Sequence, residues 1–188
     1  ARVRPPGSVL VYSSRPERRQ AFAESFREEL GVAVRPCASP QDVVEGCDIL
    51  IAAARSHDET PVFAGDWLHP GQLVVSIGAT LPEQHEIDVR TVERCDLIVC
   101  DMVHEVANET GDMLDARKAG VRFDDKLASL NDLMLGRLDE RASQATLPMY
   151  KSVGAALQDV VVAEIAYRCA LERGLGEECP GGLTIKHV

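Results

Sequence analysis

The sequence predicts an α/β fold built on a doubly wound, Rossmann-like parallel sheet, and three observations carry that reading. Short apolar runs recur at 9-VLVY-12, 32-VAV-34, 49-ILIAAA-54, 73-LVVSI-77 and 97-LIVC-100. None alternates apolar with polar residues, so each fits a strand covered on both faces rather than a half-exposed antiparallel one. Helical segments separate the runs, and strands alternating with helices assemble as right-handed βαβ units.

Taken in order, the first run leads into a helix from Pro16 to Leu30. Ser14 or Arg15 precedes a proline that the first turn tolerates, and Phe22, Phe26 and Leu30 form an apolar stripe. Gly31 fits the stop. A second helix starts near Pro40 and ends at Gly46, and Asp88 caps a third ahead of the run at 97. Trp67 and Leu68 anchor the core before the Pro70-Gly71 turn. Beyond Cys100 the pattern is helical and irregular to about Arg141. The stretch 146-TLPMY-150 is a short strand or extended segment. Val153 to Arg173 reads as one long helix, apolar enough to be buried here or against a second domain. The Gly-rich stretch 174-GLGEECPGG-182 is an exit to a loose end.

The totals narrow the function classes. Thirty acidic against twenty basic residues give a net charge of −10, which argues against a nucleic-acid partner. No apolar segment is long enough for a membrane span, so no membrane partner is expected. The six cysteines form no Cys-x-x-Cys and read as reduced thiols of a cytoplasmic protein. The five histidines have no ligand spacing, so no metal site is expected. The chain opens on ARVRPPG, which reads as the tail of a helix running into a turn, so the sequence is expected to begin inside a larger protein.

An open parallel sheet binds its ligand beyond the carboxyl ends of its strands, so the residues after each run matter most. Ser13, Ser14 and Arg15 follow the first. In dinucleotide-binding folds a carboxylate here holds the ribose 2′-hydroxyl, whereas small hydroxyls with an arginine accept a 2′-phosphate. No Asp or Glu occurs before Glu17, which favours NADP over NAD if this is the second strand of such a fold. A plain helix start explains the same residues equally well. Residues 1–8 hold no Gly-x-Gly-x-x-Gly: either the chain binds no dinucleotide, or its phosphate loop lies upstream.

Four segments, in order and with matching spacing, resemble the ornithine cyclodeaminase/mu-crystallin family. They are 61-PVFAGDWLHPGQLVVSIGATLPEQHEID-88, 96-DLIVCD-101, 109-ETGDM-113 and 150-YKSVGAALQDVVVAEIAY-167. The resemblance implies a partial NAD(P)-binding Rossmann-like domain at 1–141, incomplete at its first βα unit. It implies a return segment at 142–188 that belongs with a substrate domain; that domain and the Gly-rich loop would precede Ala1. NADP(H), or NAD(H), is the implied cofactor. Ser13, Ser14 and Arg15 fall where related reductases bind the ribose phosphate. Ala54 and Ser56 fall on the next cofactor-side loop, where AAAR replaces a Thr-rich version and leaves contacts through backbone. Lys151, Ser152, Val153 and Gly154 match the Lys-Ser-x-Gly segment near the nicotinamide, and Ser152 equally suits a helix cap.

Thr80 is the implied catalytic position. The cyclodeaminase branch carries an aspartate there, a base that can activate water against an imine. A threonine hydroxyl only donates and accepts hydrogen bonds. It therefore favours plain hydride delivery to a C=N bond; the lesser alternative is that Thr80 merely satisfies backbone in a tight loop. His85 reads as surface, Asp101 as a cap or cofactor contact, and Glu109 and Asp112 as helix-boundary or packing residues. The expected function is an NADPH-dependent reductase of small cyclic ketimines or imino acids of the pyrroline- or piperideine-2-carboxylate type, a homodimer at full length. The alternatives are ornithine cyclodeaminase, a non-catalytic NADPH- and small-ligand-binding protein, and a truncated chain that is inactive and binds NADPH very weakly alone.

Overall fold

The computed structural model describes residues 4–56 and 58–177; His57, Cys179, His187 and the end of the Gly-rich exit lie outside the described residues. Every strand pairs in parallel. Strands β1 (Ser8–Val11) and β2 (Ala33–Pro36), linked by helix α1 (Pro16–Leu30), form a two-stranded sheet. Strands β3 (Ile49–Ala52), β4 (Leu73–Ser76), β5 (Leu97–Cys100), β6 (Leu127–Ser129) and β7 (Pro148–Lys151) form a second, in the order β3-β4-β7-β5-β6. The remaining helices are α2 (Pro40–Glu45), α3 (Val89–Arg94), α4 (Val103–Glu109), α5 (Gly111–Lys118), α6 (Leu130–Met134), α7 (Asp139–Gln144) and α8 (Ala156–Glu172).

Local chemistry sets these boundaries. Gly31 ends α1 in the left-handed region at φ 66°, where a side chain is disfavoured. Ser39 and Asp42 close a capping box at α2, and the Asp88 carboxylate accepts from the Thr91 amide at the start of α3. Buried Gln72 donates to the carbonyls of Val44 and Cys47 and so satisfies the end of α2. One face of the larger sheet buries Leu50, Val74, Ile98 and Met149 with Val92, Val106, Met113 and Phe123 from the helical side. The opposite face carries a smaller cluster of Leu97, Val99, Ala128 and Leu138.

Several expectations need correction. β7 is the centre of the sheet, pairing Met149 with both Val74 and Ile98, so the sheet core continues beyond residue 141. The first compact unit runs to Val153, and Gly154 opens the second. β6 escaped the sequence reading because three residues, LAS, give no periodicity. Only β5 is buried at every position; in β3, Ile49 and Ile51 are 42% and 63% exposed. The α1 stripe is not the buried side. Phe22 and Phe26 stack on each other at 4.0 Å, Phe22 stays 41% exposed, and Ala23 is the one buried residue of the helix. α8 starts at Ala156 rather than Val153 and buries none of its residues, although Leu157, Val161, Ile165 and Leu171 are apolar.

Candidate functional site

Parallel pairing brings the carboxyl ends of β3, β4, β7 and β5 to one edge of the larger sheet. Ser76 is level with Ala52 on one side and Lys151 on the other, and Lys151 is level with Cys100. The ladder continues one step into the loops, with Ile77 donating to the Ala52 carbonyl and Ser152 to the Ser76 carbonyl, both at 3.1 Å. Candidates from three segments, Ala54, Thr80 and Lys151 to Val153, thus emerge from neighbouring strands. Ser13, Ser14 and Arg15 follow β1 in the other sheet. Gly154 opens the second unit, with φ 78°.

Directly beneath that edge lies a polar cluster sealed from solvent. Ser76, Glu86, Asp112 and Lys151 are 0–1% exposed. Lys151 Nζ donates to Asp112 Oδ2 at 2.7 Å and to Ser76 Oγ at 3.1 Å. Ser76 passes its own proton to Glu86 Oε2 at 2.7 Å. Glu86 also accepts from the amides of Ala54 (Oε1) and Gly78 (Oε2), both at 2.9 Å. Asp112 Oδ1 closes the cluster by accepting from the amides of Glu86 and Ile87. Every contact to Glu86 comes from a donor, as an ionised carboxylate requires. Burial pushes its carboxyl above the usual glutamate range. The Gly78 amide, the Ser76 hydroxyl, the Ala54 amide and the Lys151 charge pull it back only in part.

This cluster changes the roles open to several predicted residues. The Ala54 amide is already committed to Glu86, so the expected backbone contact at this position cannot use that N–H. Lys151 has its ammonium in an enclosed ion pair rather than in an open crevice. Ser56 is tied into its own turn, donating to the Thr60 carbonyl at 2.7 Å. Ser152 does not cap a helix: its hydroxyl donates to Asp101 Oδ2 at 2.6 Å, and Val153 donates its amide to Asp101 Oδ1 at 3.2 Å. Asp101 therefore joins the end of β5 to the segment leaving β7, besides accepting from the Met102 amide.

Thr80 is half-buried in a loop organised by Gln84, whose Oε1 accepts from the amides of Thr80 at 3.0 Å and Leu81 at 3.3 Å. The Thr80 hydroxyl sits 3.5 Å from the same oxygen, too far for a strong bond. Gly111 backs this loop by donating to the Leu81 carbonyl. His85 lies at the rim, 22% exposed, with Nε2 2.8 Å from Asp115 Oδ2. An open groove of about 460 Å3 beside it is lined by Glu59, His85, Arg90, Asp112 and Asp115, a largely acidic wall unsuited to phosphate. Among the described residues, no three His, Cys, Asp or Glu side chains come together to hold a metal ion.

Sequence reasoning placed Asp112 at a helix boundary, which the first turn of α5 bears out, but missed that it anchors a buried lysine. Glu86 went unnoticed. The available hint was a glutamate set beside a buried isoleucine in HEID, immediately before a capping aspartate.

Parallel strands, five of them in one sheet, alternating with helices define a Rossmann-like α/β domain. Residues 1–174 match the Ornithine cyclodeaminase/mu-crystallin family, and the chain belongs to it. It is 28% identical over 176 residues to a Delta(1)-pyrroline-2-carboxylate reductase of Bacillus cereus, covering 93% of this chain and 53% of that protein. It is 29% identical over 145 residues to ketimine reductase mu-crystallin of Macropus fuliginosus, covering 77% and 43%. Among solved structures, the Thermococcus litoralis Delta(1)-pyrroline-2-carboxylate reductase in complex with NADH and L-proline superposes with a TM-score of 0.84. It is 32% identical, covering 92% of this chain and 53% of that one. A probable ornithine cyclodeaminase from Bordetella pertussis gives a TM-score of 0.74 at 34% identity, with 91% and 53% covered. The chain thus spans about half the length of the curated relatives it matches.

Proposed function

We propose that this chain is the cofactor-binding part of an NAD(P)H-dependent reductase of small cyclic imino acids of the pyrroline- or piperideine-2-carboxylate type. When bound, the cofactor supplies the hydride, and the protein's task is to orient and protect the reacting atoms. The observation that carries the reading is the carboxylate inventory of the loop after β4. Thr80 offers only a hydroxyl, Glu83 is exposed, and Glu86 has both oxygens committed to buried donors. No carboxylate there is set to take a proton and drive ammonia loss, the role an aspartate fills in the cyclodeaminase branch. Hydride delivery needs no such base.

The residues after β1 fit the phosphate of NADP(H). Ser13, Ser14 and Arg15 run into α1, whose first turn has no side-chain cap. Pro16 has no N–H, and the Arg18 and Arg19 amides donate to the Arg15 carbonyl. The Glu17 amide and the hydroxyls and guanidinium of residues 13–15 are therefore the groups offered to an anion. Arg19 lies one turn on, over the Tyr12 ring at 5.5 Å, and no carboxylate precedes Glu17 to repel phosphate. Ser152 and Val153, fixed by Asp101, would hold the segment near the reacting end of the cofactor. A homodimer in the cytoplasm is the assembly and compartment this reading carries.

The test is oxidation of NADPH by the protein carrying this chain, with Delta(1)-pyrroline-2-carboxylate as substrate, alongside an ammonia assay with ornithine. Turnover of the imino acid without ammonia release is expected. An Arg15→Ala variant should raise KM for NADPH and leave that for NADH unchanged. Ammonia release from ornithine would overturn the reading, and cofactor binding with no turnover would point to a non-catalytic binding protein.

A further inference from the structure

We infer that Glu86 is a positioning residue of the candidate site: its buried carboxylate clamps the loop after β3 to the loop after β4 through the amides of Ala54 and Gly78. The inference rests on the reductase reading for its catalytic consequence, but not for the clamp itself.

The geometry leaves little freedom. The two carboxylate oxygens face three donors, from the Ala54 amide, the Gly78 amide and the Ser76 hydroxyl. Asp112 fixes the Glu86 backbone from the other side by accepting its amide, and Lys151 anchors Asp112 and Ser76 at once. Position 78 must be glycine because a Cβ there would meet Glu86 Oε1 and approach the Ala54 carbonyl oxygen to 2.8 Å. The two backbones are therefore in near contact, with the carboxylate as the bridge between them. Ala54 and Thr80, two of the candidate positions, lie within two residues of the bridged amides. Displacing the bridge moves both loops without altering any side chain that faces a ligand. A glutamine cannot replace the glutamate. Whichever way its amide turns, the NH2 group faces a donor, so either the Ala54 or the Gly78 contact is lost.

The test compares wild type with Glu86→Gln and Glu83→Gln, using amide hydrogen exchange resolved by segment together with steady-state kinetics. Glu86→Gln should speed exchange in residues 53–56 and 77–81 by roughly tenfold, the factor supplied by losing one hydrogen bond to a charged group. Exchange in β5 and β6 should stay unchanged. In the same variant kcat for imino-acid reduction should fall roughly tenfold or more, with the KM for imino acid little altered. Glu83→Gln, on the exposed side of the loop, should change neither. Should Glu86→Gln not fold, Glu86→Asp keeps the charge but shortens the side chain by one methylene, so it cannot reach both amides, and it should raise exchange at 53–56 and 77–81. Unchanged exchange at both loops, or an equal rise through β5 and β6, would overturn the clamp. Loss of local protection in a protein that shows no reductase turnover would sustain the clamp and refute only the reductase reading.

Discussion

Replacing Lys151 with Met separates burial from proximity as the source of an ion pair's strength. The Lys151–Asp112 and Lys118–Asp115 pairs are both 2.7 Å long, yet the first is 0% exposed at both partners and the second 76% and 41%. Met keeps most of the apolar stem and removes the charge, leaving the Asp112 and Glu86 carboxylates enclosed without a cation. Breaking a buried pair on one side costs about 3–5 kcal/mol, whereas an exposed pair contributes about 0–1 kcal/mol. With a urea dependence of about 2 kcal/mol per molar, Lys151→Met should lower the urea midpoint by about 1.5–2.5 M and Lys118→Met by less than about 0.5 M. The sign of the pH dependence also follows. Burial already raises the Glu86 carboxyl, and the Lys151 charge opposes that rise, so losing the lysine raises it further. A raised folded-state pKa contributes stability that is complete below the unfolded value and is lost as pH climbs through the folded one. The Lys151→Met deficit should therefore be larger at about pH 8 than at about pH 5. Equal midpoint shifts for the two lysine variants, or a deficit that grows towards acid, would refute this reasoning.

Gly78→Ala sets a methyl group against the Glu86 carboxylate and the Ala54 backbone, none of which can retreat, and should cost about 3 kcal/mol by thermal unfolding. Gly7→Ala, with nothing within 4 Å, is the neutral control. Cysteine alkylation should follow burial. Cys95 and Cys100, their thiols pushed up to about 12 chiefly by burial, should resist iodoacetamide in the native protein at about pH 8 and react only in denaturant. Exposed Cys169 should react at once, and early labelling of Cys95 would contradict the packed α3–β5 junction.

The apolar runs, the prolines at helix starts, Gly31 and the Asp88 cap were legible in the sequence because each is a local preference expressed within a few residues. From them came the parallel α/β class and most element positions; the family came from the resemblance of the four segments at 61–88, 96–101, 109–113 and 150–167. The place of β7 was not legible. A short TLPMY segment looks the same at an edge or at the centre, and only pairing with β4 and β5 makes it the middle strand. Nor was the partnership of Ser76, Glu86, Asp112 and Lys151, which lie up to 75 residues apart and attract one another only once solvent is excluded. Charge pairing of that kind is a property of enclosure, and enclosure exists only in the folded chain. The sequence alone thus determined the local elements and the parallel α/β class. The tertiary structure decided which buried side chains meet, and so which hydrogen bonds, such as those of the Ala54 amide and Lys151, are already committed.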